Sequence, residues 1–394
     1  MRLGWVDYSR EEKNKITAIL RLLGTQGAVD ELGIGTVRDY FSNQLFPGIT
    51  VLQTRAKYFV LIPYLFADAA RQKYARRGEV LAWINRQEDA LVKNLVRASP
   101  DELGIIGKRS YRRGETVKQK PSTIYWNGLR ATMILRYPDF SIMDACEMTY
   151  AQSRRSAEIA LKAESGDTKG DDIDMLYDGR LLFEPIHPGY DYKNECSIPL
   201  MHHEAVYLRD RFTLSPGTKD SLTAFLLQDR VAWKSVHESA AFDTTALPEG
   251  LRQNCELAKS FADFIYGAHL LYNLVFSQGS DEEVEERFGL WLENEYDPID
   301  LDLIVEISGC PRHTALFLRT FDQCIADRDI GAARKVVIDR ERFMKQDRAK
   351  LNKPEEFIYD PSARVHDYKL DYRFNTAITI IQDIYQGIGD FLEG

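Results

Sequence analysis

What this 394-residue sequence lacks narrows its chemistry first. It has no long hydrophobic run. The most apolar stretch, Tyr58 to Ala70, falls short of the roughly 20 residues that cross a bilayer, and Pro63 and Asp68 interrupt it. The opening MRLGWVDYSREE has no apolar core and no small-residue cleavage site, so it does not read as a signal peptide. Cysteine is sparse: five residues, at positions 146, 196, 255, 310 and 324, with no C-x-x-C pair. That excludes a disulfide framework and a zinc knuckle and fits free thiols in a reducing compartment. The expectation is a soluble cytoplasmic protein with no membrane partner. No phosphate-binding G-x-x-x-x-G-K-[ST] loop, G-x-G-x-x-G turn, H-E-x-x-H or G-x-S-x-G occurs, which argues against ATP hydrolysis and Rossmann-type cofactor binding at the level of motif. No cofactor or metal is expected. Collagen-like, coiled-coil and solenoid periods are absent too.

What is present is a lopsided charge. The chain carries a formal charge of −9, yet residues 52–136 hold 17 Lys/Arg against 7 Asp/Glu, a balance of +10. The rest balances at −19. Such polarity within one chain points to a basic surface for a polyanion and an acidic remainder that maintains solubility. The alternative is internal neutralisation between the two regions. The basic character peaks in DELGIIGKRSYRRGETVKQKPSTIYWNGLRATMILR, Asp101 to Arg136, with eight Lys/Arg against three acids.

Chain order predicts a mainly α protein: two helical domains with a short irregular, hairpin-containing segment between them. Residues 1–166 form a helical domain with the basic surface. Ser9 and Thr36 read as helix caps, a helix over Thr50–Arg77 is kinked at Pro63, and another spans Glu79–Ala98 with Arg86, Lys93 and Arg97 on its polar face. Residues 167–220, entered through the polar GDTKGDD linker, are rich in Pro, Gly and aromatics. Residues 221–394 form an acidic helical domain, with one helix expected over SLTAFLLQDRVAWKSVHESAAF and 11 acids between Asp281 and Glu306. An internal echo links DELGIG (Asp30–Gly35) to DELGIIG (Asp101–Gly107); it is either a shared capping turn or a decayed duplication.

The candidate nucleic-acid contacts are Arg55, Lys57, Lys108, Arg109, Arg112, Arg113, Lys118, Lys120, Trp126 and Arg130. Guanidinium and ammonium groups neutralise phosphates, and a flat aromatic can stack on a base. Trp126 reads either as a core anchor or as such a platform. Catalytic signals are weaker. Arg230 and His237 on one predicted helix resemble the R-x(4–6)-H motif of HEPN ribonucleases, although Val231 replaces the usual polar residue. Asp178 with Asp191 and Lys193, or Asp360 with Asp367 and Lys369, has the order of a metal-dependent nuclease set, at a spacing that chance also produces among 60 acids. His202-His203-Glu204 has no downstream P-C-x-x-C to complete a deaminase signature.

MRLGWVDYS, DELGIGTVRDYFSNQLFPGITVLQTRAKYFVLIPYLF, RGEVLAWINRQEDALVKNL, PSTIYWNGL, DRERFMKQDRAKL and LDYR together resemble a full-length bacterial family of unknown function. Its members tend to be encoded near helicases and phage-defence genes. The resemblance implies a context, antiviral defence beside a helicase or nuclease partner, and no mechanism. The leading expectation is a nucleic-acid-binding or adaptor subunit, for DNA or RNA, not catalytic on its own. The alternatives are an effector nuclease and a protein-interaction scaffold.

Overall fold

The structure, a computed structural model, describes residues 30–164, 182–184, 196–238, 244–352 and 357–389. Fifteen α-helices build it, with no strand among the described residues and only an isolated antiparallel bridge, Leu135 to Phe183. The mainly α expectation holds. Two compact units emerge, each discontinuous in sequence: Phe41–Glu256 with Asp371–Gly394, and Met1–Tyr40 with Leu257–Leu370. This differs from a linear partition at residues 166 and 220, because the C-terminal helix Phe374–Ile388 packs on the earlier helix His202–Leu214. The expected GDTKGDD linker lies outside the described residues.

The larger unit is organised around the helix Tyr58–Ala70, which is apolar nearly all round and buried along most of its length. It is a central helix, and its hydrophobicity serves a protein core. The helix starts at Tyr58 rather than near Thr50, because the preceding backbone donates elsewhere. The amides of Thr54 and Arg55 both reach the Tyr125 hydroxyl, at 2.8 and 3.0 Å. Phe59 packs edge-on against Tyr125 and Phe212, with centroids 5.1 and 5.5 Å apart. The helix Pro121–Ala131 approaches closely only because residue 128 is glycine: a Cβ there would lie 2.5 Å from Phe59 Cε1 and 2.8 Å from the Gly48 carbonyl. A mid-helix glycine costs about 1 kcal/mol against alanine, so the close approach outweighs local propensity here.

One expected helix is two. Leu222–Gln228 ends and Arg230–Glu238 begins at Asp229, which is extended and whose carboxylate accepts the Ala232 amide at 2.9 Å. Asp229 thus acts as an N-cap, a role that outcompetes its weak helix-interior propensity.

In the smaller unit, Glu249–Phe276 contributes its residues from Leu257 onward, and Trp291 fills the notch at Gly267, donating from Nε1 to the Asp263 carbonyl at 2.8 Å. Ten of the eleven acids of the acidic segment are exposed, a solvated face that the buried Asp281 anchors. Asp281 caps Glu282–Leu290 and takes two 2.8 Å hydrogen bonds from Arg364, while Lys369 pairs with Asp263 and Glu295 at 2.8 and 2.7 Å. Those bonds, Arg364 first, hold the Asp281 carboxyl down to about 2.

Candidate nucleic-acid interface

The basic segment is a short helix, Lys108–Arg112, and the loop that follows it, fastened to the helix Gly78–Ala98. That helix buries Val80, Ile84, Leu91, Val92 and Leu95 and exposes Arg86, Lys93 and Arg97. At about 100° per residue the three cations fall within an arc of about 40°, and Asp89 sits about 40–80° round from them. The loop attaches at Asp89 and its neighbours. Lys120 donates to the Asp89 carboxylate at 2.6 Å and to the Asn85 carbonyl at 3.2 Å, and the Val117 amide reaches Asp89 at 3.2 Å. At the other end Lys108 donates to the carbonyls of Pro100 and Glu102, at 2.7 and 2.8 Å. Gly107, at φ +80°, leaves room for Val117, which would lie 2.4 Å from any Cβ there.

Between those fastened ends, Arg109, Arg112, Arg113 and Lys118 are exposed. Among the described residues only a loose, exposed contact from Arg113 to Glu115, at 3.5 Å, offsets them, and such surface pairs are worth little. With Arg86, Lys93 and Arg97 on the helix, the four make seven exposed cations, the basic strip, on two segments joined at Asp89. The sequence reading names the helix stripe as a polar face but leaves it out of the candidate site.

Glu88 completes the attachment. It stands in the otherwise apolar series Val80, Ile84, Leu91, Leu95, is buried, and accepts the Ser122 amide at 2.6 Å where Pro121–Ala131 begins. Burial pushes its carboxyl up to about 7, with the Ser122 hydrogen bonds pulling the other way. A lone carboxylate in an apolar helical stripe is a signal that sequence can supply, and neither Glu88 nor Asp89 is among the sequence candidates.

Three of the sequence candidates turn out to be structural. Lys57 is fully buried and gives its ammonium to Glu204 at 2.9 and 2.6 Å, so it cannot meet a phosphate. Arg55 is spent on Asp383, through Nε at 3.0 Å to each oxygen, and on Glu102 at 2.6 Å. Trp126 is a core residue whose Nε1 donates to the Phe140 carbonyl at 2.8 Å and whose ring meets Phe66. Lys108 and Lys120 belong to the site as fasteners, and Arg130, half-buried, donates to the Pro138 carbonyl.

Beside the strip, in the same unit, an open groove of about 1050 Å³ runs between the Ser99–Gly104 turn and the helix Phe374–Ile388. Asn375, Thr379, Gln382 and Gln386 line one wall at helical spacing, and the Arg55–Asp383 pair lies at its base. Lys108 holds the opposite wall through its bonds to Pro100 and Glu102.

Of the catalytic candidates, Asp360, Asp367 and Lys369 are each engaged with other groups. Arg230 is exposed at the start of Arg230–Glu238, and the side chain of His237 lies outside the described residues. Asp367 pairs with Arg287 at 2.5 Å, Lys369 with Asp263 and Glu295, and exposed Asp360 caps the turn at Ser362. Asp178, Asp191 and Lys193 lie outside the described residues. In the His-His-Glu run, His202 and His203 are exposed while Glu204 turns inward to Lys57. No group of three or more metal-ligating side chains occurs among the described residues, and no helix there is long and apolar enough to cross a membrane.

Residues 1–282 match the sequence profile of DUF6361, a family of unknown function. No curated protein and no solved structure matches the chain.

Proposed function

The chain belongs to the family of unknown function DUF6361, and we propose that it binds the backbone of a nucleic acid through its basic strip. One observation carries this: Arg109, Arg112, Arg113 and Lys118 stand exposed on a segment fastened at Asp89 to the helix that exposes Arg86, Lys93 and Arg97. Seven clustered cations on a chain of net charge −9 form a local field of the sign a polyphosphate requires. The role that follows is that of a nucleic-acid-binding or adaptor subunit, acting in the cytoplasm beside a helicase or nuclease in antiviral defence, without chemistry of its own.

The test is a titration against labelled single- and double-stranded DNA and RNA at two salt concentrations. Binding at low salt that weakens steeply at the higher one is expected, because neutralised phosphates release counterions. No binding at low salt would overturn the reading and leave the scaffold alternative. Cleavage of the probe during the titration would revive the nuclease alternative.

A further inference from the structure

We propose that the groove beside the strip receives an unstacked nucleobase, which makes single-stranded nucleic acid the ligand. This rests on the strip reading above and adds the part of the ligand that the strip does not touch.

The groove is built for a neutral hydrogen-bonding group. Its helical wall carries amides and a hydroxyl, Asn375, Thr379, Gln382 and Gln386. Side-chain amides present a donor and an acceptor together, the pattern that pairs with a base edge. Gln53, which also lines the groove and is only 3 % exposed, donates to the Gly48 carbonyl at 2.9 Å and leaves its Oε1 without a partner.

Charge decides which part of a nucleotide enters. Asp101, Glu102 and Asp383 line the groove against one cation, Arg55, which those last two carboxylates already engage. A phosphate would be repelled there, whereas an exocyclic amino group would find acceptors. Phosphates belong on the strip, and the base turns inward past the Ser99–Gly104 turn that Lys108 braces.

The lip supplies an independent observation. The two DELG segments both hold their first glycine at positive φ, Gly33 at +62° and Gly104 at +80°. The first buries its leucine, Leu32, completely, while the second exposes Leu103 by 81 %. An exposed apolar side chain presented at the mouth of a polar groove suits contact with the face of an unstacked base.

Anisotropy titrations with short homopolymers test this, comparing oligo-dC and oligo-dA with oligo-dT and with a duplex of equal length. The wild type is expected to prefer the amino-bearing single strands. L103S and Q382A/Q386A, at half-exposed or exposed positions, should reduce that preference about tenfold with the salt slope unchanged. Equal affinity for every ligand, or a preference untouched by these variants, overturns the groove assignment and leaves the strip standing. A salt slope altered by Q382A/Q386A places phosphate in the groove and overturns it as well. No binding by any oligonucleotide overturns the strip reading and this inference together.

Discussion

Arg55 and Asp383 lie 328 positions apart, yet the guanidinium Nε stands 3.0 Å from each carboxylate oxygen, and the same carboxylate accepts the Ala56 amide at 2.8 Å. The C-terminal helix is thereby bound to the segment that introduces the central helix of its unit. Burial holds the Asp383 carboxyl above its ordinary range, with Arg55 pulling it back. The pair is an internal fastening in the lining of the groove, and the exposed cations lie elsewhere.

Arg55→Ala therefore acts on stability. It strips the buried Asp383 of its charge partner, a loss typically of about 3–5 kcal/mol. Urea denaturation should show a midpoint well below that of the wild type. Under conditions where the variant remains folded, the salt dependence of its nucleic-acid binding should match the wild type's, because the Arg55 guanidinium is engaged by carboxylates. A shallower salt slope with unchanged stability would show instead that Arg55 meets a phosphate directly.

Lys57 and Glu204 provide the same logic in a fully buried pair. Lys57→Met should destabilise by several kcal/mol, since it leaves the buried Glu204 without its ammonium partner. The double variant K57M/E204L should recover most of that loss, because a buried ion pair replaced by apolar groups is often neutral or better. A double variant less stable than K57M would contradict this account of the pair, and a thermodynamic cycle reads the coupling directly.

How much of this was legible in sequence depends on the range over which each residue finds its partner. Helix Glu249–Phe276 and the cations of the Lys108–Lys120 loop follow from local pattern, and the structure keeps them. Arg55 and Lys57 looked like more of the same charge, because charge in sequence carries no burial and Asp383 and Glu204 are too remote for spacing to reveal. The break at Asp229 was missed because its apolar neighbours continue a helical period straight through a residue that prefers to cap. The groove has no sequence signature at all, since its two walls come from residues 99–104 and 375–386.

The strip's attachment should respond to pH through Glu88. Its carboxyl rises from an ordinary value near 4.5 to about 7 in the folded chain. The folded state therefore holds the extra proton between those values. Glu88's contribution is fully present below about pH 4.5 and is lost as pH rises through 7. The shift corresponds to about 3 kcal/mol at most. Glu88→Gln keeps an acceptor for the Ser122 amide without the ionisation. Its melting temperature should change less between pH 5 and pH 8 (roughly the span of the shift) than that of the wild type. Parallel pH profiles would exclude Glu88 as the source of the dependence.

The central claim is that exposed arginines of the fastened loop meet phosphates, and the salt dependence of binding tests it most directly. The logarithm of the association constant should fall linearly with the logarithm of salt concentration for the wild type. In R109A/R112A/R113A the slope should be shallower by about 2 for a single strand, or about 3 for a duplex, because three phosphate contacts are gone. A variant with the wild-type slope and affinity would contradict the account and place the polyanion, if any, on another face of the protein.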